Sequence, residues 1–183
     1  ESSPDATSSP RGIRTLCFLA EAHIQLDQPY RARRQLDACL VLAEDERDPT
    51  LRAHAHGVLG LLELVAGEPA AARAALARSL SAWRAAEDDP RGLRFADAAL
   101  CLLARRGALD AADRLERSIA PLRDVAPRVG PVERRLREEA EALRGRERGV
   151  AEQPVGYAAS IGDALATAER LLMECEGLGA NGA

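Results

Sequence analysis

An all-α fold of stacked helical hairpins is what this sequence predicts, on three observations. The composition favours helix: apolar residues make up 46% of the chain but aromatics only 3%, so the core has to come from Ala and Leu, which head the helix-propensity scale. A segment of 22 residues then recurs along the chain. Finally, each copy is interrupted by turn chemistry, most clearly Gly67-Glu68-Pro69, where Gly suits the end of one helix and Pro the first position of the next.

The repeat fixes the order of elements. "LAEAHIQLDQPYRARRQLDACL" (19–40) aligns without gaps on "LGLLELVAGEPAAARAALARSL" (59–80) at an offset of 40 residues. Leu19 meets Leu59, Ala20 meets Gly60, Pro29 meets Pro69, Ala32 meets Ala72, Leu36 meets Leu76 and Leu40 meets Leu80. A third copy, "AALCLLARRGALDAADRLERSI" (98–119), follows at an offset of 39 and sets Ala99, Ala111, Leu115 and Ser118 on Gly60, Ala72, Leu76 and Ser79.

Three hairpins are therefore expected over 12–48, 50–88 and 91–125, inside a domain spanning 12–175. The second hairpin is the clearest. Leu51, Ala55, Val58, Leu62 and Val65 recur at helical spacing before the break, and Ala72, Leu76, Leu80 and Trp83 share one face after it. Gly60 and Ala72 are expected at the helix crossing, where a larger side chain would push the axes beyond about 8–10 Å. Ala20 with Ala32, and Ala99 with Ala111, repeat that arrangement.

Two further helices complete the domain. One covers 131–147, with a thin apolar stripe of Val132, Leu136, Ala140 and Leu143. Its other faces carry Glu133–Arg137, Arg134–Glu138 and Arg135–Glu139 at i,i+4, so it reads as largely solvated. The other covers 160–175, capped by Ser160 with Asp163 as a capping-box variant. Residues 1–11 read as a linker and 176–183 as a flexible tail.

Leu59-Gly60, Ala72, Leu76 and Ser79 resemble the consensus of tetratricopeptide repeats: a large–small pair in the first helix, Ala twelve residues later, then a large and a small residue. His56 and Glu63 stand where that family favours aromatics, and the period exceeds the family's length of about 34 residues. Period alone suits HEAT or armadillo repeats equally well. The longer version is similar to the repeats of bacterial LuxR-type and antibiotic-regulatory ATPase activators. The resemblance implies a short right-handed solenoid of three repeats plus C-terminal helices. It also implies a regulatory or sensor role in a cytoplasmic bacterial signalling or transcription protein.

The chemistry-bearing residues nominate no catalytic centre. His54 and His56 form H-x-H, but residues two apart on a helix point about 200° from each other and cannot share a metal as an i,i+4 pair can. His23, beside Ile24, reads as a packing residue. Cys17, Cys39, Cys101 and Cys175 are far apart without a CxxC pair, which reads as buried thiols rather than a disulfide frame. Glu21, Glu63 and Asp97 are lone acids in apolar helices, expected at helix edges or hydrogen-bonded to an Arg. No GxxxxGK[ST] occurs. No cofactor, metal or catalytic residue is therefore assigned.

Charge narrows the partners. All 25 basic residues are Arg, acidic residues number 29, and the formal net charge is −4, which is no nucleic-acid footprint. The clusters Arg31-Arg33-Arg34 and Arg144-Arg146-Arg148 lack an interleaved aromatic platform. No apolar run approaches the ~20 residues of a membrane span. The first helices of repeats two and three are apolar nearly all round, which demands burial on every side. Leu61, Leu64, Leu93, Leu100 and Leu103 are accordingly expected in a concave groove, covered by the array itself, by the stretch Gly149–Ser160, by a second copy or by a partner. The expected function is a non-enzymatic scaffold for protein–protein or interdomain contacts. Its alternative is binding of a small ligand, an inducer, in the groove.

Overall fold

Prolines and left-handed turn residues punctuate the chain and decide where its helices begin and end. The computed structural model describes residues 9–45, 48–86, 89–125, 130–145 and 160–175. Eight α-helices occur among them, and no strand: α1 (Pro10–Gln25), α2 (Pro29–Asp45), α3 (Pro49–Ala66), α4 (Pro69–Ala85), α5 (Leu93–Arg105), α6 (Leu109–Ile119), α7 (Pro131–Gly145) and α8 (Ile161–Glu174). Short 3-10 segments lie at Pro90–Gly92 and Ala120–Val125. Pro opens α1, α2, α3, α4 and α7, at the position where a missing N–H costs nothing. Ser9, Asp48 and Ser160 cap α1, α3 and α8 by accepting from Gly12, Thr50 and Asp163 N–H. Ser160 thus caps α8 as expected, and its hydroxyl in turn donates to Asp163 Oδ2 at 3.0 Å. Helix α1 starts two residues inside the expected linker, because Ser9-Pro10 is a complete start signal.

The hairpins reverse through Asp27 (φ 56°), Gly67 (φ 82°) and Gly107 (φ 71°). These positions hold the 40-residue register through the third copy, whereas its apolar residues match best at 39. The core absorbs the slip: Ala111 and Ala112 are both buried, and Leu115 rather than Glu116 points inward. Gly60 sits against α4, where a Cβ on it would lie 2.6 Å from Leu76 Cγ and 3.2 Å from the Leu76 backbone nitrogen.

Helices α1/α2, α3/α4 and α5/α6 pair as hairpins. Helix α3 packs on both α1 and α5, α7 packs on α5, and the start of α7 reaches back to α1. The first helices and α7 therefore curve around a common centre. Helix α8 lies on α4, α5 and α6. The main core runs through all of this, and a smaller cluster (Ile13, Cys17, Cys39, Ala43, Leu51, Ala55) fills the open end of the first hairpin.

This packing relocates the expected groove residues. Leu61, Leu64, Leu93, Leu100 and Leu103 are all buried in the main core, the most exposed of them at 3%. Helix α5 has α7 on one side and α8 on another, and α3 is flanked by α1, α2, α4 and α5. Their all-round apolar character is satisfied within the chain, and none of these leucines faces an open surface. The part of the Gly149–Ser160 stretch before Ser160 lies outside the described residues, as do residues 1–8 and 176–183.

The picture of α7 as a solvated helix also changes. Val132, Leu136 and Ala140 are buried as expected, but so are Glu133 and Arg144. The acids and arginines of α7 take partners on other helices: Glu133 pairs with Arg94, Arg137 with Asp97, Glu139 with Arg105 and Arg144 with Asp113.

Candidate functional site

On α1, Ile13, Cys17, Ala20 and Ile24 form the stripe that enters the core. The stripe one residue further on, Arg14, Phe18, Glu21 and Gln25, necessarily lies beside it on the helix surface. That second stripe walls a cavity of about 540 Å³ whose other walls are His54 of α3, Trp83 of α4, Arg91, and Arg94 with Phe95 of α5. Gly130, just before α7, closes the rim. The volume falls within the range of ~300–1,000 Å³ typical of small-molecule sites.

A charged network crosses the cavity. His54 Nε2 and Glu21 Oε1 are 2.7 Å apart, and Arg94 donates to the same carboxylate oxygen at 2.9 Å. Arg94 also donates to Glu133, which is 1% exposed. Gln25 Nε2 donates to Glu133 Oε2 at 2.7 Å, while Gln25 Oε1 accepts the Val132 N–H at 2.8 Å. Gln25 thereby clasps α1 to α7. A Cβ on Gly130 would lie 2.6 Å from Gln25 Nε2, so a side chain there would displace the clasp.

Burial pushes the Glu21 carboxyl up, but the His54 hydrogen bond and the Arg94 charge outweigh it, and Glu21 titrates below its ordinary value. Burial likewise lowers Arg94, and the carboxylates Glu21 and Glu133 outweigh it, so its pKa is raised. Two carboxylates, Glu21 and Glu133, thus flank one guanidinium, Arg94.

The rest of the wall is aromatic. Phe18 meets His54 edge-on with centroids 5.3 Å apart, and Phe95 lies 6.2 Å from the same ring. The Arg94 and Arg91 guanidinium groups lie over Phe95 and Trp83 at 5.3 and 5.0 Å. Gly57 makes room for this arrangement, since a Cβ there would lie 2.5 Å from the Phe95 ring. Two buried donors on the lining residues, Trp83 Nε1 and Arg94 Nε, have no acceptor. Phe18 is 53% exposed, a large apolar side chain left at the opening. A chamber with aromatic walls and paired charges suits a small, largely apolar molecule.

The remaining candidates lie elsewhere. His56 points away from His54, with Nε2 3.8 Å from Glu44, and burial followed by the Arg78 charge lowers its pKa. His23 pairs with Gln28 at 3.0 Å. Glu63 accepts from Arg33 at 2.6 Å, and Asp97 accepts from Arg123 and Arg137, so the lone acids do find Arg partners. Among the described residues no group of three or more His, Cys, Asp or Glu gathers at one point, and no helix is long and apolar enough to cross a membrane.

No family model, curated protein or solved structure matches this chain. The site rests on its own geometry.

Of the cavity's side chains, the sequence singles out Glu21, His54 and Trp83, each in a different context. The usable signal was the pairing of an exposed Phe18 with Glu21 and Gln25 on the α1 stripe next to the core stripe.

Proposed function

We propose that this chain is a non-enzymatic helical-repeat domain that senses a small molecule in the cavity between α1, α3 and α5. The observation that carries the reading is the chamber itself, with aromatic walls and a network of paired charges. A bound, largely apolar molecule would cover Phe18. By the repeat resemblance, the domain would be the TPR-like, right-handed sensor part of a cytoplasmic bacterial regulator, passing occupancy to neighbouring domains.

Trp83 is the chain's sole tryptophan and lines the cavity, so it reports on occupancy directly. Titration with 1-anilinonaphthalene-8-sulfonate should give saturable one-to-one binding with energy transfer from Trp83. Ala22→Phe puts a ring into the chamber from an exposed α1 position and should abolish the signal while leaving helicity and melting temperature unchanged. Equal binding by the variant, or none by the parent, would sink the reading.

A second reading, protein or interdomain contact, is favoured by the outer surface of the first hairpin. Leu19, Leu26, Tyr30 and Val41 are all exposed there. That surface is the one left for docking once the five leucines of the expected groove are buried.

A further inference from the structure

Cys17 and Cys39 are 22 positions apart, on different helices, and both are fully buried. The α1/α2 pairing brings their Sγ atoms to 2.6 Å. Cys39 Sγ also donates to the Ile13 carbonyl at 3.6 Å, so both thiols lie in one chain, with Cys17 donating to Cys39 and Cys39 to Ile13. The two sulfurs need only about half an ångström of side-chain movement to reach the covalent separation of ~2.05 Å. Cys101 and Cys175, also buried, sit in the separate main core.

We propose that Cys17 and Cys39 are a disulfide-forming pair, a peroxide-sensitive modification site that staples α1 to α2. Metal capture suits the pair less well. A thiolate zinc site needs four ligands at about 2.3 Å from the ion, and no third His, Cys, Asp or Glu joins the two sulfurs among the described residues. The smaller cluster around them joins the first hairpin to Leu51 and Ala55 of α3 at the end of the array, and end units open locally at lower cost than the centre of a fold. Local opening gives hydrogen peroxide its access.

The electron count closes with peroxide as the oxidant. The Cys39 thiolate attacks one peroxide oxygen, the O–O bond breaks, and the departing hydroxide takes up the proton that Cys39 lost, giving a sulfenic acid and one water. Cys17 sulfur then attacks the Cys39 sulfur, the S–O bond breaks, and the departing hydroxide takes the Cys17 proton as a second water. Two thiols lose two electrons and one peroxide becomes two waters. Cys39 is the first attacker because the Cys17 hydrogen bond lowers its pKa, while the same contact and burial raise that of Cys17.

The staple also reaches the cavity. Cys17 precedes Phe18 and lies one turn before Glu21, so fixing α1 on α2 fixes the wall that carries both.

The test uses the full chain, reduced, exposed to hydrogen peroxide, then unfolded, alkylated and cleaved after Arg. Segments 15–31 and 35–47 should be recovered as one linked species, lighter by two hydrogen atoms and separated by dithiothreitol. Cys101 and Cys175 should remain alkylatable, and the Cys101→Ala/Cys175→Ala variant should keep the link. Cys17→Ser should instead leave a Cys39 sulfenic acid that dimedone traps. Recovery of both segments singly alkylated, or links from either one to Cys101 or Cys175 in similar yield, would overturn the proposal. The parent-chain map decides it even if a variant fails to fold.

Discussion

At the scale of single residues, the charged groups of this protein are organised by burial. Glu21 is held ionised against burial by His54 and Arg94, and Glu116 against burial by Arg123 and Arg144. His56 is held neutral by burial and the Arg78 charge. All three have folded pKa values below their unfolded ones, so all three give stability that is present above the unfolded value and lost as pH falls. His56 starts the loss below its ordinary 6.5, and the carboxylates continue it below 4.5. Urea denaturation at a series of pH values should show stability declining from about pH 6.5 downward and steepening below pH 4.5. His56→Gln should flatten the first limb and Glu21→Gln the second. An unchanged acid profile in Glu21→Gln would mean that the network does not hold that carboxylate ionised. Glu133 is the most buried member, and Glu133→Ala leaves Arg94 short of one carboxylate. Breaking such a pair costs about 3 kcal/mol, and the urea midpoint should record it.

At the scale of elements, two glycines explain why α3 sits so close to its neighbours. Gly60 lets Leu76 of α4 press against the α3 backbone, and Gly57 lets the Phe95 ring of α5 do the same. Gly60→Leu should therefore cost about 1–3 kcal/mol, the overpacking range. Arg134→Ala on exposed α7 surface should stay within about 0.5 kcal/mol. Equal melting temperatures would remove Gly60 from the contact.

Much of this level was legible in the sequence. The Gly67-Glu68-Pro69 break, the Trp83 face, the Ser160 cap and the all-helical class follow from local chemistry, which a single sequence states directly. Repeat alignment pairs small residues by position and does not say which α4 side chain lies over Gly60; the structure puts Leu76 there. Of the coverings the sequence leaves open for the five leucines, the structure shows the array's own. An apolar face shows that something covers it, but not which helices do so. Cys17 and Cys39 carried no spacing signal at all, since their meeting depends on where the first hairpin closes.

At the scale of the whole molecule, the cavity exists because the row of first helices curves until α7 comes back to α1. Gln25 is the visible fastening, bonded to both the Glu133 carboxylate and the Val132 N–H. The first hairpin gives the main core Ala20, Ile24, Ala32 and Leu36 and shares the small cluster with Leu51 and Ala55 of α3, while α3 to α6 and α8 supply most of the main core. Stability should be graded accordingly, because units with fewer shared core contacts open first. In hydrogen exchange, amides of α3 and α5 should be the slowest, and those of α1 and α2 faster. Gln25→Ala frees the Glu133 oxygen and the Val132 N–H, so it should speed exchange at the end of α1 and the start of α7 and leave α4 and α8 unchanged. The same variant should weaken binding of the fluorescent probe, since the wall carrying Phe18 and Glu21 then loses the Gln25 fastening to α7. Uniform protection across all helices, with no response to Gln25→Ala, would mean that the ring is held shut by the core alone. The clasp would then be a consequence of closure rather than a cause of it.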